Sequence, residues 1–249
     1  MTLTASDDAL EYPETDAMGE HEVQWFVTML LWGVVVRHLA QRGVVAHVAG
    51  NQFFYWQRGN LKACRAPDLY VLLDVAQDVP DVATWHTWQG HRPAFALEVA
   101  SDGTWRKDYE QAPIDYDAMG CQELVIFDPG ATARSRRRVR WQVFRRVRGR
   151  GLVATLTTGT DRVHSRVLGA WLRLVDTPQG PRLRLANGAQ GDEMIPTDAE
   201  VAQAERTVRS IAEAQADAER RARQNAEEVA RTEAQRAQTE AQRAQTEAQ

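Results

Sequence analysis

Ala94-Phe95-Ala96-Leu97-Glu98-Val99-Ala100 is the stretch from which the rest of the chain can be read. In an extended strand, Phe95, Leu97 and Val99 share one face, and Ala96, Glu98 and Ala100 share the other. Glu98 thus stands in the middle of an apolar strand, between small residues that leave space around it. A carboxylate buried there is costly unless a cation or hydrogen-bond donors compensate. A metal ion, an arginine or backbone amides would each serve.

A second carboxylate has a similar setting. In Pro67-Asp68-Leu69-Tyr70-Val71-Leu72-Leu73-Asp74, Asp68 opens an apolar strand. Two strand-borne carboxylates can converge if their strands are neighbours. Such a pair suits Mg²⁺ (or Mn²⁺), because Mg²⁺ takes few protein carboxylates and keeps several waters. A metal held there can activate water and neutralise charge on a phosphodiester. The same pair would serve a glycosidase, with one acid and one base.

Around these strands the chain alternates helix and strand patterns. Residues 1–17 read as a disordered lead-in. His21 to Arg42 has apolar residues at helical spacing (Val23, Phe26, Val27, Leu30, Leu31, Val34, Val35) and ends at Gly43. Val44–Val48, Asn51–Trp56, Leu69–Val75 and Glu123–Phe127 read as strands, residues 76–93 as a loop, and Asp108–Met119 as a helix stopped by Gly120. From Val139 onward short β runs follow: Val139–Val147, Leu152–Thr157, Trp171–Val175 and Arg182–Leu185. The pattern predicts an α/β (α+β) fold with a central sheet, flanking helices, extra β hairpins and a long C-terminal helix.

After Pro196 the composition becomes that of a helix, rich in Ala, Glu, Gln and Arg. Val201, Ala204, Val208, Ile211, Gln215, Ala218, Ala222, Asn225 and Val229 alternate three and four spacings, a coiled-coil seam with two polar interruptions. A perfect heptad repeat follows from Thr232, offering only alanine at the same spacings. Self-association through Val201–Val229 is the functional expectation, and a solvated helical extension is the alternative.

Charge is segregated along the chain. Residues 1–130 carry 8 basic and 19 acidic residues, net −11; residues 131–190 carry 14 and 2, net +12; residues 191–249 carry 8 and 13, net −5. An acidic front half and a basic strip could bind a metal and a polyanion respectively. In the strip, Val139, Trp141 and Val143 alternate with Arg138, Arg140 and Gln142. Arginines on such a face, with Arg136 beside them, could contact phosphates and would make binding salt-dependent. A solvated hairpin is the other reading. The longest nearly apolar run, Trp25–Val36, has 12 residues, short of the ~18 a membrane span needs. The acidic start lacks the basic, then apolar, pattern of a secretory signal. Two cysteines in no CxxC spacing argue against a disulfide framework and structural zinc. A cytoplasmic protein is expected.

Several motifs then fall into one order. Ala66-Pro67-Asp68, Leu97-Glu98-Val99-Ala100-Ser101, Thr104-Trp105-Arg106-Lys107-Asp108, Tyr116…Met119-Gly120 and Phe127-Asp128-Pro129 resemble the Uma-two family of restriction-endonuclease-like proteins, within the PD-(D/E)XK nuclease superfamily. The resemblance covers roughly residues 20–190. It implies a mixed four-stranded sheet with flanking helices over residues 18–190, followed by the helical tail over 197–249. It also implies Mg²⁺-dependent (or Mn²⁺-dependent) cleavage of DNA, with Asp68 and Glu98 as metal ligands. The superfamily lysine two residues after the glutamate is Ala100 here, and the family's alternative position, four after Asp108, is Ala112. Lys107 is the neighbouring lysine and the expected catalytic cation. Without such a cation the chain would instead be a catalytically impaired nuclease fold, acting as a DNA-binding or oligomeric module.

Overall fold

A computed structural model describes residues 22–79, 82–132, 134–177 and 180–247. The expected lead-in over residues 1–17 lies outside these. The chain divides into two compact units, Met1–Thr197 and Asp198–Gln249. Among the described residues, no helix is long and apolar enough to cross a membrane.

The first unit is built on a six-stranded sheet. Its strands are β1 (Ala46–Ala49), β4 (Leu69–Leu73), β6 (Phe95–Val99), β7 (Glu123–Phe127), β8 (Trp141–Val147) and β9 (Gly151–Thr158), in that spatial order. The sheet is mixed: β6 and β7 run parallel and the other neighbours antiparallel. It has six strands where the family resemblance implied four, because β1 at one edge and β9 at the other, reached from β8 by a turn at Gly149 with φ 76°, widen it.

The alternation in the central strands sorts side chains onto two faces. Leu69, Val71, Phe95, Leu97, Val99, Val125 and Phe127 pack on one, under helix α1 (Glu22–Gln41) and a four-stranded sheet of β10 (Arg162–Ser165), β11 (Ala170–Thr177), β12 (Gly180–Asn187) and β13 (Glu193–Met194). Leu31, Val34, Val35 and Leu39 supply the buried face of α1. Gly43 (φ 69°) ends that helix, its N–H bonding back to Ala40 and the Val44 N–H to Leu39.

Tyr70, Leu72, Ala96, Ala100, Leu124 and Ile126 pack on the opposite face, against α3 (Ala112–Met119) and a small sheet of β3 (Cys64–Arg65), β2 (Phe53–Tyr55) and β5 (Thr84–His86). Strand β5 and the 3-10 turn Thr87–Gln89 replace the loop expected over 76–93. Trp85 anchors this segment: it is buried, and its indole N–H donates to the Tyr70 hydroxyl at 2.6 Å. A three-residue strand is too short to carry a periodic signal.

The connection between parallel β6 and β7 is helical, as such a crossover usually is. It is two helices rather than the single expected one, α2 (Trp105–Glu110) and α3, with Gln111 between them. Pro113 is the cause, since it has no N–H to continue the ladder and its ring crowds the preceding turn. In the second unit, α4 (Asp198–Glu247) is a continuous 50-residue helix.

Candidate active site

The register of β4 with β6 pairs Tyr70 with Ala96 and Leu69 with Leu97. One further step sets Asp68 opposite Glu98, and alternation turns both toward the face occupied by α3. Asp68 is buried, and its Oδ2 accepts the Val99 N–H at 2.6 Å, which ties it across to the strand bearing Glu98. Ser101 and Thr104 close the turn after β6 with reciprocal backbone and hydroxyl bonds, which fixes the start of α2.

Arg65, on β3, fills the space beside Glu98. Its Nε donates to Glu98 Oε1 at 2.6 Å, its Nη2 to Asp108 Oδ1 at 2.7 Å, and its Nη1 to Asp115 Oδ2 at 3.3 Å. The guanidinium also lies 5.8 Å from the centre of the Tyr116 ring. Tyr116 donates its hydroxyl to the same Glu98 Oε1 at 2.7 Å. Among the described residues, every hydrogen bond to Glu98 falls on Oε1, and Oε2 accepts none. Three carboxylates (Glu98, Asp108, Asp115) thus surround one guanidinium, a formal excess of two negative charges, and Asp68 adds a further carboxylate on the neighbouring strand.

Burial pushes the Glu98 carboxyl above the ordinary glutamate range; Arg65 opposes this, and Asp108 adds to it. For Arg65, burial works against the charge, but Glu98, Tyr116 and Asp108 more than offset it and raise its pKa. The Tyr116 hydroxyl is pushed well up by burial and by Glu98, so it stays a donor.

The donor set fits a hard divalent cation. All the oxygens are carboxylate, Glu98 keeps one uncommitted, and the local charge is negative. Among the described residues no group of three or more His, Cys, Asp or Glu side chains is arranged to hold a metal. Asp68 and Glu98 could serve such an ion only as a two-carboxylate site completed by water, a mode that Mg²⁺ accepts.

The other anticipated residues lie elsewhere. Lys107 is exposed, while Asp108 beside it on α2 is buried against Arg65. Successive helical side chains diverge by about 100°, so one faces the site and the other solvent. Ala112 and Ala100 are fully buried in the apolar cluster beneath the site. Arg138 is committed inward: Nε donates to Asp128 Oδ2 at 2.8 Å and Nη2 to Asp128 Oδ1 at 2.6 Å, with a further bond to Asp102. Arg140 reaches the carbonyl of Gly159 at 3.3 Å. Arg136 is exposed, with Arg134 and Arg137 beside it.

Arg65, Asp115 and the bonding role of Tyr116 are additions to the site as read from sequence. One signal was available: Arg65 immediately precedes Ala66-Pro67-Asp68.

The family model for Uma2, described as "Putative restriction endonuclease", matches residues 13–177. The chain belongs to the Uma2 family. No curated protein matches the chain. The Uma2 match takes in all six strands of the central sheet, the α2–α3 crossover and every residue of the Arg65 cluster, and ends with β11.

Proposed function

We propose that this Uma2 chain is an endodeoxyribonuclease dependent on Mg²⁺ or Mn²⁺. The observation that carries this reading is the pairing of Asp68 with Glu98 at the ends of adjacent central strands, with Glu98 Oε2 left open. Asp68 and Glu98 would hold the cation, Asp68 steadied by the Val99 amide and Glu98 by Arg65 and Tyr116. A divalent ion bound there would neutralise phosphodiester charge and ease ionisation of water. Lys107, exposed on α2, would meet the scissile phosphate from the solvent side. Exposed Arg136 would contact flanking phosphates, whereas Arg138 and Arg140 shape the segment that carries it. The test is cleavage of supercoiled DNA with and without Mg²⁺ by the native chain, Asp68→Asn and Glu98→Gln. Cleavage that survives both substitutions would sink the reading.

A second reading has its own observation: Ala100 and Ala112 are buried, and among the described residues no lysine side chain pairs with the carboxylate cluster. On that reading the chain binds DNA without cutting it. A native chain that binds but does not cleave, beside an Ala112→Lys variant that folds and cleaves, would decide for it.

For α4, we propose self-association through the Val201–Val229 seam. Val208, Ile211 and Val229 are exposed on it, and an isolated helix with wet valine and isoleucine gains from pairing. Sedimentation should give an oligomer for the full chain, the same oligomer after truncation beyond Ala230, and a monomer after truncation beyond Pro196.

A further inference from the structure

We infer that Arg65 is the built-in counter-ion of the carboxylate site, and that a divalent cation enters by competing with it for Glu98. This rests on the reading of Asp68 and Glu98 as the cation pair and concerns how that pair is filled.

The argument starts from charge. Glu98, Asp108 and Asp115 converge from β6, α2 and α3 on a space whose side chains are about nine-tenths buried. Like charges that close repel strongly at low effective dielectric. Arg65 relieves this by giving each carboxylate a different nitrogen, Nε to Glu98, Nη2 to Asp108 and Nη1 to Asp115. The rigid guanidinium fork matches such divergent acceptors in a way that an ammonium cannot. The site is therefore assembled before any metal arrives.

The same arrangement opposes metal. Arg65 Nε and the Tyr116 hydroxyl both load Glu98 Oε1, which leaves Oε2 for a cation. An ion held by Glu98 and Asp68 would lie beside a fixed positive charge and would compete with Arg65 for the charge on the Glu98 carboxylate. Metal uptake would then weaken the 2.6 Å Arg65–Glu98 bond, while Asp108 and Asp115 would retain the guanidinium. Arg65 is a positioning residue that sets how much divalent ion the site requires.

The experiment is Mn²⁺ titration by calorimetry on the full chain, with Arg65→Met, Arg65→Lys, Asp68→Asn, Glu98→Gln and Arg65→Met/Glu98→Gln. Mg²⁺ titration of the native chain is followed in parallel through the Arg65 Nε–H resonance. We expect Asp68→Asn to weaken Mn²⁺ binding and Arg65→Met to tighten it at least tenfold. Arg65→Lys should fall between native and Arg65→Met, and the double variant should lose the gain. The Arg65 Nε–H signal should shift as Mg²⁺ saturates. If Arg65→Met does not fold, Arg65→Lys and the resonance decide. Mn²⁺ binding that depends on Asp68 but is unchanged or weaker without Arg65, with an unmoved Nε–H signal, overturns the inference and leaves the cation pair standing. Mn²⁺ binding indifferent to both Asp68→Asn and Glu98→Gln overturns the pair, and the inference with it.

Discussion

Two buried glutamates stand on adjacent strands of the central sheet and face opposite sides of it. Glu123, on β7, is fully clothed: Oε1 accepts Arg145 Nε at 2.8 Å and the Arg166 N–H at 3.1 Å, and Oε2 accepts the Ser165 hydroxyl at 2.5 Å and the Val167 N–H at 3.1 Å. Glu98, on β6, has two donors on one oxygen, none on the other, and two further carboxylates sharing its arginine. Glu123 closes a joint between the central sheet and the segment after β10. Glu98 leaves an acceptor and a charge imbalance to be used. Burial and an arginine partner are common to both, so neither marks a functional carboxylate. What separates them is unspent bonding capacity.

The comparison breaks most visibly through stability. Glu123→Ala should cost about 3–5 kcal/mol of unfolding free energy, because it strands Arg145 and several donors. Chemical denaturation would measure this, and a loss below about 1 kcal/mol would remove Glu123 from its structural role. Glu98→Gln should do the opposite. It should lower Mg²⁺-dependent cleavage by about 10²–10³-fold, the usual range for removing a buried electrostatic stabiliser. Its unfolding free energy should stay within about 1.5 kcal/mol of native, since Asp108 and Asp115 still pair with Arg65, the glutamine can keep hydrogen-bonding, and one of the crowded like charges is gone. A glutamine variant that unfolds but cleaves normally per folded molecule would make Glu98 a second Glu123.

Smaller effects sharpen the contrast. Arg136→Ala should weaken DNA binding alike for all sequences and reduce the slope of log K against log salt by about 1. The same change at Arg145 should act through stability, because that arginine is spent on Glu123. Fluorescence anisotropy across a salt series distinguishes them.

The smallest effect is a pH dependence on the Glu123 side. Buried His38 lies with Nε2 3.0 Å from the Leu168 carbonyl, and the Leu168 N–H bonds Ser165, itself bonded to Glu123. Burial holds the His38 pKa below 6.5, despite the bond to Leu168. The unfolded chain therefore takes up this proton first. Stability is fully present above about pH 6.5 and falls as pH drops through the lowered folded value. His47 and His164, lowered by burial too, act in the same direction. Melting temperature from pH 7.5 to 5 should fall less steeply in His38→Gln than in the native chain; an unchanged profile would exclude His38 as a contributor.

Much of this was legible in the residues. The alternation around Glu98 located β6 and its face, and Asp68 followed from the next apolar strand. The Arg65 cluster was not, because its contacts span 33, 43 and 50 residues. They depend on a two-residue strand, Cys64–Arg65, with no period to read. The partners of the basic strip were hidden in a similar way. Residues 134–150 contain no acid, yet Arg145 stands directly opposite Glu123 in the β7–β8 register, and Arg138 folds back onto Asp128. Sequence distance from an acid says little where antiparallel strands bring partners together. The single helix expected over Asp108–Met119 failed at Pro113, a local signal outweighed by the run of helix formers around it.

Helix α2 is six residues long, and two adjacent side chains on it serve different masters. Asp108 grips Arg65 at the carboxylate site, while the Tyr109 hydroxyl donates to Asp128, 2.7 Å away, and accepts the Val139 N–H, in the knot that holds Arg138. The exposed Arg136 and Arg137 precede that same Arg138 in the chain. A change that displaces Arg138 therefore disturbs the seat of Tyr109, and with it the reach of Asp108. The arginine segment and the carboxylate cluster are thus linked through one short helix, and a displacement of either is felt by the other.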